Sequence, residues 1–263
     1  MRSLPVPRQP VVIRRVAAAS RRPDPPGGRH VAFRRMATAI PRPGTRAHTR
    51  EIVRRLADDQ GPLPYVRRHD PVSELVTTLL SHSTTDVNQE RAFRTLRARF
   101  PTWDAVRAAP VEAVEDAVRV AGLANQKAPR IQRVLDQIAD DPRGSDLEWL
   151  GGVPLEEAMA FLTAMDGVGP KTAACVMCFC FDAPIVPADT HVHRIALRTH
   201  VVPPKATAVQ AQARLSAWTP ADACFATHMR LIRHGRTVCA ARAPRCPGCA
   251  LLDLCPTGRR VVG

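Results

Sequence analysis

Long apolar runs are missing from this 263-residue chain. None approaches the ~18 residues a membrane helix needs, which excludes a transmembrane protein. No apolar core follows the N-terminus that could serve as a secretory signal. Cysteine is sparse: eight residues are too few for a disulfide scaffold, and four crowd near the C-terminus, pointing to a metal site in a reducing compartment. Lysine is scarcer still, with three against 35 arginines. No P-loop or Rossmann glycine motif occurs, and no convincing alternating strand pattern, which removes a parallel-sheet nucleotide fold. Hydrophobic residues nevertheless make up 45% of the chain, enough for a packed core in one or two domains.

The formal charge of +14 is unevenly placed. Residues 1–50 hold 12 Arg and one Asp, a net of +11. Residues 51–190 are net −6, and residues 191–263 are net +9, with only Asp222 and Asp253 acidic. Basic charge sorted into segments, with a pI near 10.7, points to a polyanion partner, most simply nucleic acid.

Residues 1–45 read as a disordered basic tail, with eight of the 25 prolines and the breaker runs PDPPGG and PRPG. Three readings of it stay open: an organellar transit peptide, a DNA-tethering arm, or an upstream extension with Met36 as the true start. From about Thr45 the pattern is helical almost throughout. Val72, Leu75, Val76, Leu79 and Leu80 form one apolar stripe, with Asp70 and Pro71 as its start. Asp86 reads as the cap of the next helix, which stops at Pro101. A further stripe runs from Ala128 through Ile131, Val134 and Leu135 to Ile138. KTAACVMCFCF, from Lys171, is apolar nearly all round and predicts a central buried helix; Cys224, Phe225, Leu231 and Ile232 mark a later amphipathic one. The fold class is all-α.

Cys239, Cys246, Cys249 and Cys255 form C-x6-C-x2-C-x5-C. Four thiolates within 17 residues can close around one metal centre. Zinc ribbons usually present two C-x2-C knuckles, and only one occurs here, so the wider outer gaps fit a [4Fe-4S] cluster better than zinc. Four unligated thiols in a Pro/Gly-rich tail is the weakest reading. Cys175, Cys178, Cys180 and Cys224 sit on apolar helices and read as core.

MDGVGPKTAA joins two helical segments through Gly167, Val168 and Gly169. Two glycines two apart permit a tight turn with outward backbone N–H groups, and Pro170 suits a helix start whose dipole favours phosphate. Lys171 follows in the first turn of the apolar helix. A lysine there is costly unless used, and a dry site at a helix N-terminus favours its nucleophilic amine form. Asp189, in VPADTHVHR, stands at a helix start, where it reads as a simple N-cap or as a catalytic carboxylate.

Taken together, DGVGPKTAA, Asp189 and the four-cysteine spacing resemble the endonuclease III branch of the helix-hairpin-helix DNA glycosylases. LLSHSTTD at 79–86 resembles that family's first pocket segment, and AGLANQKA at 121–128 its wedge loop. The resemblance covers about residues 46–257. It implies a bilobal all-helical fold: a first helix within 46–69 packing with a cluster lobe at 185–263, and a helical barrel lobe at 70–184. It implies Lys171 as nucleophile, Asp189 as catalytic carboxylate, Leu123 as intercalating wedge, Asp86 and His191 as pocket-lining residues, and a [4Fe-4S] cluster on the four cysteines. Two positions depart from the family: Asp166 where a proline usually stands before the hairpin glycine, and Ser83 where a DNA-inserting glutamine stands. A carboxylate beside the turn should repel phosphate if it faces out.

The reading that follows is a bifunctional DNA glycosylase and AP lyase that excises damaged pyrimidines from double-stranded DNA, acting as a monomer without a membrane partner. Its place is cytoplasmic and nucleoid-associated in a bacterium, with organellar targeting by the tail still open. Two alternatives remain: a monofunctional mismatch or damaged-base glycosylase, against which Lys171 argues, and a catalytically weak structure-specific DNA-binding protein.

Overall fold

The computed structural model describes residues 40–263. The tail reading falls almost wholly on residues 1–39, outside the described residues, as does Met36. Thr45, at the end of that stretch, already belongs to the fold: its hydroxyl accepts from the His48 N–H and caps the first helix.

Twelve α-helices and no strand occur among the described residues. They are α1 (Arg46–Gln60), α2 (Pro71–Leu80), α3 (Asp86–Arg99), α4 (Trp103–Ala108), α5 (Val111–Val118), α6 (Ala124–Ala139), α7 (Leu155–Ala164), α8 (Pro170–Phe181), α9 (Thr190–Arg198), α10 (Ala208–Trp218), α11 (Cys224–Thr237) and α12 (Pro256–Val262). No helix among them is long and apolar enough to cross a membrane.

The helix starts follow the capping chemistry of the sequence. Asp70 accepts from Ser73 N–H at 2.8 Å with Pro71 in the first position. Thr207 and Gln210 form a reciprocal capping box on α10. One start corrects the sequence reading. Thr85, not Asp86, caps α3, its hydroxyl accepting from Asn88 N–H. Both residues are good caps, and taking Thr85 frees the Asp86 carboxylate for a tertiary contact.

Two buried cores form. The first gathers α2 to α8, from Val72 to Ile185, with Phe225 of α11 added. The second joins Ile52 and Leu56 of α1 to residues from Val186 to Leu254. Polar contacts tie α1 to the C-terminal region: His48 Nε2 lies 2.8 Å from the Leu254 carbonyl, and Arg55 makes a two-pronged pair with Asp253 at 2.8 Å. The chain thus returns its first helix to its last third.

α2 departs from the simple stripe. All ten of its residues are buried, including Ser73, Glu74, Thr77 and Thr78 on the polar face. α8 packs along it and is buried almost all round, as its composition requires. The ends are antiparallel: His82, just past α2, lies 3.3 Å from the Thr172 hydroxyl in the first turn of α8.

Candidate active site

The site is built on the turn between α7 and α8. Gly167 has φ +78°, a conformation that costs an L-residue about 1–2 kcal/mol. A Cβ there would also meet Arg130 Nε at 2.3 Å, so the backbone favours glycine and any larger residue would have to displace the Arg130 side chain. Val168 is buried and anchors the turn, its N–H donating to the Met165 carbonyl at 3.1 Å. Gly169 is the N-cap residue of α8. The N–H groups of Gly167 and Gly169 take no partner among the described residues, and both glycines are exposed. With the N-terminus of α8 beside them, they present donors to an anion.

The first turns of α6 hold two more loops against this one. Lys127 is buried, and its Nζ donates to the Leu80 carbonyl and to the Ala121 carbonyl, both at 2.8 Å. Leu80 ends α2, three residues before exposed Ser83 at φ +54°; Ala121 precedes Gly122 and Leu123. Leu123 stands at φ +51° with 48% of its surface exposed, an apolar side chain at a strained tip. Arg130, three residues beyond Lys127, lies under Gly167 with its Nε buried and unpartnered. Ser83, Leu123 and the glycine turn therefore share one face, linked through α6. Asp166 does face outward on it, yet Arg133 Nε donates to its carboxylate at 2.8 Å. The repulsion that its sequence position predicts is offset by this guanidinium.

Behind that face lie the titratable groups. Lys171 is half-buried rather than buried. Asp189 caps α9, Oδ1 accepting from Val192 N–H at 2.8 Å, while Oδ2 has no partner among the described residues. It serves as an N-cap and keeps one oxygen free. Gln212 of α10 fixes the two residues relative to each other. Its Oε1 accepts from the Ala188 N–H at 3.3 Å, and its Nε2 donates to the Pro170 carbonyl at 3.4 Å. Each is the chain neighbour of a catalytic candidate.

Four further groups feel the Lys171 charge. Cys175, one turn along α8, has its thiol pushed up to about 11 by burial, an effect Lys171 opposes. His228 is fully buried and held neutral by desolvation, with Nδ1–H donating to the Pro187 carbonyl at 2.8 Å; Asp189 opposes that shift and Lys171 adds to it. Glu74 is pushed up to about 7 by burial, and Lys171 is the strongest of its charged neighbours. His82 is likewise held toward its neutral form, by burial first and then by Lys171, Arg130 and Lys127.

Asp86 and His191 both meet α11. Arg236 pairs with the Asp86 carboxylate at 2.6 Å. His191 lies against Gly235, where a Cβ would come within 2.8 Å of the imidazole, and its Nδ1 is 3.0 Å from Arg194 Nη2. Both contacts bring these residues to one end of the same helix.

The four C-terminal cysteines line one pocket with Ile195, Arg198 and His234. Arg198 donates to Cys239 Sγ at 3.2 Å, the Leu251 N–H to Cys249 Sγ at 3.4 Å and the Gly258 N–H to Cys255 Sγ at 3.2 Å. Donors aimed at sulfur favour thiolates, yet burial first and then the neighbouring cysteines push the Cys249 thiol up to about 11 against the Leu251 N–H. No three His, Cys, Asp or Glu side chains converge on a single-ion geometry among the described residues. The other four cysteines are buried, consistent with packing.

The family model of the HhH-GPD superfamily of base excision DNA repair proteins matches residues 76–221, more than half of the chain, from α2 through the hairpin and Asp189 to α10. The chain belongs to this superfamily. Endonuclease III of Escherichia coli (strain K12) is 34% identical over 212 residues, 80% of this chain and 96% of that one. A relative from Arabidopsis thaliana is 38% identical over 162 residues, 62% of this chain and 55% of its own, so the chain spans about half of that plant protein. A solved structure of a trapped endonuclease III–DNA covalent intermediate superposes with a TM-score of 0.71 at 28% identity, covering 83% of this chain and 99% of that one.

The protein is thus a DNA glycosylase of base excision repair with the endonuclease III fold. In this glycosylase, sequence reasoning singled out the hairpin, Lys171, Asp189 and the cysteines. The structure adds Glu74, His82, Arg130, Gln212 and His228 around them. Only Glu74 left a trace, as the single acidic residue in an otherwise uncharged helix.

Proposed function

We propose that this glycosylase excises damaged pyrimidines from double-stranded DNA and then cleaves the strand through a Schiff base on Lys171. The observation that carries the reading is the amine at the first turn of α8, between a turn with free N–H donors and a carboxylate with one free oxygen.

The outward donors of Gly167 and Gly169 hold backbone phosphate and fix register without reading sequence. Leu123 enters the stack as the target base leaves it, at a cost of a few kcal/mol. Ser83, on the same face, is too short to fill much of the vacated space. Asp86 and His191 line the base pocket. Lys171, as the neutral amine, attacks C1′; the bond from C1′ to the base breaks and its electron pair leaves with the base. Asp189 stabilises the positive charge that develops on the sugar. Ring opening gives a protonated imine on Lys171, which permits loss of the C2′ proton and departure of the 3′ phosphate. The lysine argues against a water-only glycosylase, and the Arg133–Asp166 pair removes the main objection to productive DNA binding.

The four cysteines fit a [4Fe-4S] cluster: their sulfurs line one pocket, three accept from N–H donors, and their spacing has a single C-x2-C pair with wide outer gaps. Cys239, Cys246, Cys249 and Cys255 would hold it. Such a group supplies structural cross-linking of the C-terminal loop. The protein acts as a monomer, in the compartment that holds its DNA.

The test is excision from a panel of duplexes with defined oxidised pyrimidines, mismatches and undamaged bases. The account expects release of oxidised pyrimidines with coupled strand cleavage. Release from mismatches alone, without cleavage, would support a monofunctional enzyme instead.

A further inference from the structure

α2 carries a polar seam through the protein's interior. Glu74, Thr77 and Thr78 are each less than 8% exposed, on the face of α2 that its apolar stripe leaves over. Thr77 Oγ1 has no partner at all among the described residues. Glu74 has one: the Thr78 hydroxyl donates to its Oε1 at 3.2 Å. It makes no ion pair within 4.0 Å among the described residues. A buried carboxyl with a single hydroxyl partner is costly, and a leucine at this position would pack without that cost.

The seam has a direction. Because the α2 C-terminal end meets the α8 N-terminal end at the His82–Thr172 contact, Thr78 lies one turn nearer that end than Glu74 does. Lys171 stands there. The groups that face Glu74 are Lys171, Cys175, Cys178 and Cys180 from α8, with Arg68 and Asp70 from the loop before α2. Burial pushes all three thiols up, so they stay neutral. Lys171 is the cation that Glu74 senses most.

We infer that Glu74 is the proton acceptor for Lys171, receiving the ammonium proton through the buried seam before the amine attacks the sugar. This rests on the reading of Lys171 as nucleophile. One proton leaves Nζ of Lys171 and one arrives on the Glu74 carboxylate, whose Oε1 accepts from the Thr78 hydroxyl. The departing base takes its own proton from water. The other nearby acceptors are less suited. Asp189 spends one oxygen on the α9 cap, and His228 is held neutral by its buried setting. A carboxyl near 7 is matched to a reaction run at neutral pH. Glu74 acts through Lys171 and is therefore a positioning residue for the reaction rather than one in contact with substrate.

The experiment is the pH profile of single-turnover borohydride trapping on a duplex with one abasic site. It compares the unmutated protein, Glu74→Gln and Glu74→Leu. The glutamine keeps shape and the leucine suits a helix buried on all sides, so two chemically different variants guard against a folding defect. The unmutated rate should climb through about pH 7 and then level. Both variants should trap at least about tenfold more slowly at pH 7, with the deficit narrowing as the pH is raised. Variants that follow the unmutated profile, or fall by one constant factor at every pH, would overturn the inference. An unmutated protein that traps at no pH, or trapping that survives Lys171→Gln, would overturn the Lys171 reading itself.

Discussion

Arg133 on α6 donates to the Asp166 carboxylate on the hairpin turn at 2.8 Å, both side chains more than half exposed. An exposed pair of this kind contributes about 0–1 kcal/mol to stability, so its consequence lies in DNA binding. Asp166→Asn removes one negative charge beside the phosphate donors and releases a guanidinium toward the duplex. Binding to undamaged duplex should tighten a few-fold at low salt, with the salt slope steeper by about one. Filter binding across a salt series checks this; weaker binding by the variant would contradict it.

Gln212 ties the Pro170 carbonyl to the Ala188 N–H. Gln212→Leu keeps the volume but unpairs both groups. Stability should fall by about 1–3 kcal/mol. Base excision should fall further than cleavage of a preformed abasic site, since the role proposed for Asp189 lies in the base-leaving step. Equal losses in the two assays would deny that Gln212 sets the spacing of Lys171 and Asp189.

How far the site was legible in sequence follows from what defines each part. Lys171, Asp189 and the cysteines are local patterns: a lysine at a helix start, a cap residue, a spacing. Glycine at 167 is also local, although its second reason, Arg130 beneath it, is not. Gln212 and His228 act through carbonyls 42 and 41 residues away, a relation no spacing reveals. Glu74 lies off the apolar stripe counted on α2, and its burial comes from tertiary packing that no period reveals. The Asp86 cap failed for a smaller reason: adjacent Thr85 can also cap, and it does, while the Asp86 carboxylate pairs with Arg236.

Burial of Glu74 makes stability pH-dependent. Its carboxyl titrates near 7 when folded against an ordinary 4.5, so the folded state binds more protons between those values. Stability contributed at this site is therefore lost as pH rises from about 4.5 and fully lost above about 7. Glu74→Leu should be more stable than the unmutated protein at pH 8, by an amount on the order of 3 kcal/mol, with the advantage shrinking toward pH 5. Urea titrations at the two pH values measure it. An advantage that does not change with pH would contradict the assignment.

The cysteine pocket predicts a metal analysis. Purified protein should hold about four iron and four sulfide per chain. Cys246→Ser should lower iron content and loosen the C-terminal loop, since the proposed role of this ligand is structural. One zinc per chain with no iron would replace the cluster assignment.

The central claim concerns one amine, and borohydride trapping on abasic duplex tests it most directly. The unmutated protein should form a covalent protein–DNA adduct whose modified peptide contains Lys171. Lys171→Gln should bind the same duplex, since the phosphate donors are backbone groups of Gly167 and Gly169, and should trap nothing. Lys127 is buried under two carbonyls and Lys205 lies between α9 and α10, so neither replaces it. An adduct that persists in Lys171→Gln, or maps to another residue, would contradict the account.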